Sequence, residues 1–222
     1  MAEMAKYVAI ITDGNGRWAQ ERGLSVAEGH AAGADVVKAR LRDAAELGIE
    51  ELTVYSFSTE NWSRPQAEVD ALMAMFGERL RTETPELHEQ GVRMRFIGRR
   101  DRVAPTLLER MDIAEELTAA NDRITLFVAF DYGGRDEILE AAARYEGGGD
   151  EHFRALLYAP EMHDPDLVIR TSGEQRLSNY LLWQTAYSEL VFADELWPDY
   201  TREAFERSLA EFGSRRRRFG GR

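Results

Sequence analysis

Asp13-Gly14-Asn15-Gly16-Arg17-Trp18 directly follows the apolar run Tyr7-Val8-Ala9-Ile10-Ile11, so a carboxylate, two glycines and an arginine stand at the end of a predicted strand. Those residue types suit an oxyanion and a metal. Glycine lets backbone N–H groups come close to an anion, Arg17 adds a planar fork of donors, and Asp13 is the hard oxygen ligand that magnesium takes. The chemistry indicated is binding of a phosphate ester or diphosphate. The stretch Gly14-x-Gly16-x-x-Ala19, with Asp35 about 20 residues on, also satisfies a loose dinucleotide-binding fingerprint. That alternative needs Asp35 to end a second strand, yet residues 33–41 carry helical apolar spacing. The dinucleotide context is missing.

Two more polar clusters follow predicted strands. Ser58-Thr59-Glu60-Asn61-Trp62-Ser63-Arg64 comes after residues 52–57, and Arg170-Thr171-Ser172-Gly173-Glu174-Gln175-Arg176-Leu177-Ser178 comes after residues 167–169. The elements that must position them alternate as strand and helix. Strands are predicted at 8–11, 52–57, 92–96, 124–130, 167–169 and 190–192. Helices are predicted at 29–47, 69–80, 105–120, 134–145, 176–186 and 201–213, with Pro85 opening a further short one that Gly91 stops. Gly147-Gly148-Gly149 reads as a flexible joint too short to separate domains. The fold class expected is α/β, a single three-layer domain over residues 1–222 with a central, mostly parallel sheet of about six strands. In such sheets ligands gather at the carboxyl ends of the strands, which is where Arg17, Arg64, Arg170 and Arg176 fall.

Composition narrows the class. At 222 residues and 44% hydrophobic content the chain can bury a substantial core. No apolar run reaches the roughly 20 residues of a membrane span, and the N-terminus lacks a signal-peptide pattern, so a cytoplasmic location is expected. With no cysteine and only His30, His88, His152 and His163, scattered along the chain, any metal is expected on oxygen ligands. A net charge of −12 argues against nucleic acid as a partner. The dense basic run from Arg215 to Arg218 reads as a solvated helix end or a local anion site.

The ordered blocks at residues 13–18, Gly29-His30, 57–65, 166–174, 176–179 and Leu196-Trp197-Pro198-Asp199 resemble the cis-prenyltransferases, the undecaprenyl diphosphate synthase family, over almost the whole chain. Members join isopentenyl diphosphate to an allylic diphosphate with a Z double bond. The resemblance implies that Asp13 is the magnesium-binding catalytic aspartate, and that Gly14, Asn15, Gly16, Arg17, Trp18 and His30 cradle the allylic diphosphate. It implies that Arg170, Arg176, Leu177 and Ser178 hold isopentenyl diphosphate, that Ser58, Thr59, Glu60, Trp62 and Arg64 line the cleft, and that Asn61 helps remove the proton. Glu189 matches a second metal-linked carboxylate, with Mg2+ the implied cofactor. The family further implies a homodimer, peripheral membrane contact for product release, and a segment at Arg218-Phe219-Gly220 that reaches the partner subunit.

The chain departs from the family pattern at several positions. Val26 replaces an arginine four residues before Gly-His, leaving Arg22 to compensate, and Thr12, Tyr7 and Asp131 replace the usual methionine, histidine and asparagine. Product length in the family is set by an apolar tunnel. Alternation along residues 124–130 puts Ile124, Leu126, Val128 and Phe130 on one face and Phe127 on the other, with Phe130 nearest the catalytic mouth. Phe130 and a short 144–164 segment predict a short to medium chain. The alternatives are an irregular, branched or cyclising coupling enzyme of the same fold, or a catalytically silent accessory subunit.

Overall fold

The structure, a computed structural model, describes residues 4–215. Its sheet comprises β1 Tyr7–Ile11, β2 Glu51–Ser58, β3 Val92–Ile97, β4 Ile124–Tyr132, β5 Leu167–Arg170 and β6 Glu189–Phe192. All pairings are parallel, in the order β3-β4-β2-β1-β5-β6. Parallel neighbours require long crossovers, and α1 Asn15–Glu21, α2 Val26–Glu46, α3 Gln66–Glu89, α4 Pro105–Thr118, α5 Gly134–Arg144, α6 Asp150–Arg154 and α7 Arg202–Ser214 lie within the connecting and terminal segments. The chain leaves β1 toward β2 on one side, and β5 arrives on the other. The loops after β1 and β5 therefore diverge above the middle of the sheet, which is where such folds bind ligands.

One sheet face presents Ile124, Leu126, Val128 and Phe130 to a core built with Leu41, Leu80, Met111 and Phe205 from the helices. The opposite face presents Phe127 and Ala129 to Tyr55, Met162, Tyr180 and Leu181. The alternation expected along residues 124–130 is thus realised, because a side-chain period of two is a local property of any strand.

Three helical expectations are corrected. Helix α2 begins at Val26 rather than at 29, since Ser25 caps it: Ser25 Oγ accepts the Glu28 N–H at 3.2 Å and Glu28 Oε2 accepts the Ser25 N–H at 2.8 Å. Pro85 does not start a new helix but lies inside α3 on its exposed side, as does Arg81, whose carbonyl it leaves without an intrahelical partner, while Leu80 and Leu87 stay buried. Residues 176–186 form no helix. Two of their carbonyls are taken by distant donors, Arg170 Nη1 on Arg176 O at 2.5 Å and Gly134 N on Asn179 O at 2.7 Å, and Ser178, Asn179 and Leu181 adopt positive φ.

Candidate active site

Asp13 stands two residues beyond β1, and β1 pairs with β5 so that Ile11 faces Arg170. Thr171 Oγ donates to the Asp13 carbonyl at 2.7 Å and accepts the Asp13 N–H at 3.0 Å, which fixes the backbone on both sides of the carboxylate. Arg170 Nη2 then donates to Asp13 Oδ2 at 2.8 Å, while Nη1 donates to Ser178 Oγ at 2.7 Å. The Arg170 side chain is only 5% exposed. Arg170, expected to hold isopentenyl diphosphate, is also the post against which Asp13 and Ser178 are set. Among the described residues no hydrogen bond reaches Asp13 Oδ1.

The loop after Asp13 folds as close backbone contacts require. Gly14 has φ 112°, and a Cβ there would lie 3.0 Å from Leu196, so a side chain is excluded twice over. Gly16 meets nothing within 4 Å on its Cβ side, leaving that face open. Gly29 and Gly33 let α2 press on α1, since Cβ atoms there would fall 2.3 Å from Asn15 O and 2.2 Å from Asn15 Oδ1. Asn15 Oδ1 is buried without a partner. Trp18 turns outward to donate to Asp199 Oδ1 at 2.7 Å, with the Arg22 guanidinium 4.5 Å above its ring. Arg22 also pairs with Asp199 at 2.9 Å.

Arg17 and Arg176 meet on a single carboxylate. Glu174 pairs with Arg176 and lies 3.6 Å from Arg17, and both guanidinium groups are largely exposed. Leu177, beside them, is partly buried against the second core cluster. On the other side, a short 3-10 helix at Thr59–Ser63 follows β2, and Asn61 Oδ1 accepts the Ser58 N–H at 3.0 Å. Thr59 Oγ donates to Asp136 at 3.1 Å, and Glu60 Oε1 accepts from Asn179 at 2.9 Å, tying this turn to the 170s loop. Trp62 Nε1 donates to the buried Asp131 at 2.8 Å. Arg64 donates to Glu68 at 2.9 Å and to His30 Nε2 at 3.3 Å.

Glu189 is not brought to Asp13 within the chain. It opens β6 opposite Leu167, at the amino end of the sheet, about 10 Å of strand from the Arg170 end, and pairs with Arg215 at 2.8 Å. The register of a short strand decides this, and register is invisible in residue type. Among the described residues no three His, Asp or Glu side chains form a metal cluster. Arg218-Phe219-Gly220 lies outside the described residues.

An apolar cavity runs between α2, α3 and the sheet face bearing Leu126, Val128 and Phe130, and Thr12, Asn15 and His30, which flank the Asp13 loop, also line it. Phe130 stacks between Phe57 and Phe76, at centroid distances of 5.4 and 4.3 Å. The free volume, about 140 Å³, is close to the roughly 150 Å³ of an engineered cavity that accepts benzene. An anion cradle thus opens onto a narrow hydrocarbon-sized space.

Residues 11–220 match the sequence family described as undecaprenyl diphosphate synthase, a prenyltransferase family. The chain belongs to that family. Isoprenyl transferase 2 of Bradyrhizobium diazoefficiens is 50% identical, over 97% of this chain and 90% of the relative. The isoprenyl transferase of Thermotoga maritima is 48% identical, over 97% of each. Lavandulyl diphosphate synthase from Lavandula x intermedia, solved in complex with dimethylallyl diphosphate, superposes with a TM-score of 0.94 at 35% identity over 98% of each chain.

In this prenyltransferase Thr171, Asn179 and Asp131 stand in or beside the sequence motifs, but residue type alone assigns them no positioning role. Asn179 was visible as the residue after Ser178, and its role became apparent only when α5 and the Thr59 turn were placed beside it. His30 illustrates what folding does to a motif residue. Burial, and then the nearby Arg64 guanidinium, push its pKa from 6.5 down to about 4. Because arginine only donates, His30 Nε2 accepts and the ring is neutral with its proton on Nδ1. The unfolded chain therefore binds the extra proton first as pH falls, so stability is full above pH 6.5 and declines toward pH 4, by about 3 kcal/mol from this group. Urea unfolding at pH 7 and pH 4.5, compared for wild type and His30→Gln, checks the sign: the variant should lose less on acidification. An equal loss in both proteins removes His30 as the cause.

Proposed function

We propose that the chain is a magnesium-dependent cis-prenyl diphosphate synthase, condensing isopentenyl diphosphate with an allylic diphosphate into a Z-prenyl diphosphate of short to medium length, as a cytoplasmic homodimer of one domain. The observation that carries the reading is the Asp13–Arg170 pair, set where two anion-binding loops meet at the mouth of an apolar cavity. The residues fit magnesium: Asp13 offers an oxygen that no described donor occupies, and magnesium is commonly held by one carboxylate together with substrate phosphates. When bound, the ion would offset charge on the leaving diphosphate.

The remaining work belongs to side chains of this chain. Arg17 and His30 bind the allylic diphosphate, with Arg64 keeping the His30 proton on Nδ1. Arg176 binds isopentenyl diphosphate, while Arg170 holds Asp13 and Ser178 in place. These charges are arranged before the substrate arrives, so they stabilise developing charge on the diphosphate without reorganising. The cavity receives the hydrocarbon, and each five-carbon unit gains up to about 4 kcal/mol by burial. Asn61 keeps one Oδ1 lone pair free of Ser58 and helps pass the proton lost after coupling to an oxygen of the released diphosphate.

Incubation with labelled isopentenyl diphosphate and each allylic primer, followed by product identification, tests this; no chain elongation with any primer sinks it. Irregular coupling is the second reading, favoured by the likeness to lavandulyl diphosphate synthase. Branched carbon skeletons in the dephosphorylated product would select it. Product length has its own test, since Phe130 faces the cavity and Phe127 the opposite core. Phe130→Ala is expected to lengthen the products. Phe127→Ala should leave their length unchanged and lower stability by about 3 to 5 kcal/mol, as read by chromatography and denaturant melts.

A further inference from the structure

The cavity wall is hydrocarbon except at its mouth and at the seam between α2 and α3, where Lys38, Arg79, Glu83 and Thr84 line it. Arg79 follows Phe76 by one turn of α3, and its guanidinium crosses the seam. Nη1 donates to Asp35 Oδ1 at 2.6 Å and to Glu83 Oε1 at 2.7 Å, and Nη2 donates to the Ala31 carbonyl at 2.9 Å. Two turns further along, Glu86 of α3 takes both Lys38 and Arg42 of α2, the latter at 2.6 Å. Next to this ladder the Thr84 hydroxyl is buried with no partner.

The lining residues of α3 run from Leu72 to Leu87, about 22 Å of helix, and Arg79 lies near the midpoint. A chain growing along that length passes Arg79, so a lengthening product presses on the seam where α2 and α3 meet. Parting them at Arg79 strips the two α2 acceptors, Asp35 Oδ1 and the Ala31 carbonyl, and leaves the guanidinium beside hydrocarbon with only Glu83 of its own helix, an arrangement that costs free energy. Below that level Thr84 adds an unsatisfied hydroxyl. Arg79, Glu83 and Thr84 thus put polar groups into the wall from the middle of the cavity onward.

Resting on the prenyl synthase reading, we infer that Arg79 is a specificity-determining residue whose bridge to Ala31 and Asp35 clasps α2 to α3 and limits product length. The clasp acts on the wall and not on the diphosphates, so it separates length from turnover.

The experiment compares wild type with Arg79→Met, which keeps the aliphatic stem but removes the donors, with Arg79→Lys, and with Asp35→Asn. Dephosphorylated products are resolved by chromatography, with the rate of the first condensation and the melting temperature measured in parallel. Arg79→Met is expected to move the product maximum up by at least one five-carbon unit, with Asp35→Asn shifting it less in the same direction and Arg79→Lys lying between Arg79→Met and wild type. Unchanged or shortened products in a folded Arg79→Met overturn the inference. Should Arg79→Met fail to fold, Asp35→Asn decides, because the Asp35 side chain is 72% exposed and its loss cannot disturb the core; unchanged products there overturn it equally. A wild type that elongates no primer fails the underlying reading, and the clasp falls with it. A wild type that elongates normally beside insensitive variants fails the clasp alone.

Discussion

Turnover is expected to fall by roughly 1,000-fold or more when Asp13 becomes asparagine, with the protein still folded. Asparagine retains an oxygen for Arg170 Nη2 but not the charge a magnesium ion needs. Alanine at the same position should be equally inactive and also less stable. Arg170 would then be a guanidinium at 5% exposure without its carboxylate, and breaking a buried pair in this way costs about 3 to 5 kcal/mol. Single-turnover assays over a magnesium titration, together with thermal melts, separate the two effects. Near-normal turnover in Asp13→Asn, or full wild-type activity in excess chelator, would overturn the metal assignment.

Arg170 and Arg176, alike in sequence, should behave differently on mutation. Arg176 is 58% exposed and tied only to Glu174 and its own loop, so Arg176→Ala should raise the KM for isopentenyl diphosphate by about 10- to 100-fold with little change in kcat. Arg170→Ala should lower kcat by roughly 100-fold or more, because the side chain it removes holds both Asp13 and Ser178. Initial rates with each substrate varied in turn distinguish these patterns. An equal KM rise for both substrates in Arg176→Ala would mean that Arg176 does not belong to the isopentenyl diphosphate site.

The strand-end positions of Asp13, Ser58 and Arg170 were legible because a parallel sheet exposes its carboxyl ends together, and the division of Phe130 from Phe127 was legible because side chains alternate along any strand. What could not be read was set by long-range partners. Residues 176–186 have helical apolar spacing, but Arg170 and Gly134 claim their carbonyls. The Ser25–Glu28 capping box was in plain view, and Gly29 masked it by looking like a boundary when it is a close-packing residue inside α2. Glu189 opens its strand, so within one chain it lies at the end away from Asp13, and only the register of β6 reveals that.

The central place of β1 bears on how the protein is made. Its partners β2 and β5 lie on either side, and the Asp13–Arg170 pair spans 157 residues of sequence. At roughly 5 to 20 residues per second of synthesis, β1 waits about 8 to 30 seconds on the ribosome for β5 to emerge. Throughout that time one edge of an almost wholly apolar strand has no neighbour, a template for unwanted pairing. The diphosphate site is therefore among the last features to be completed, and a nascent chain cannot sequester substrate before its sheet has closed around β1.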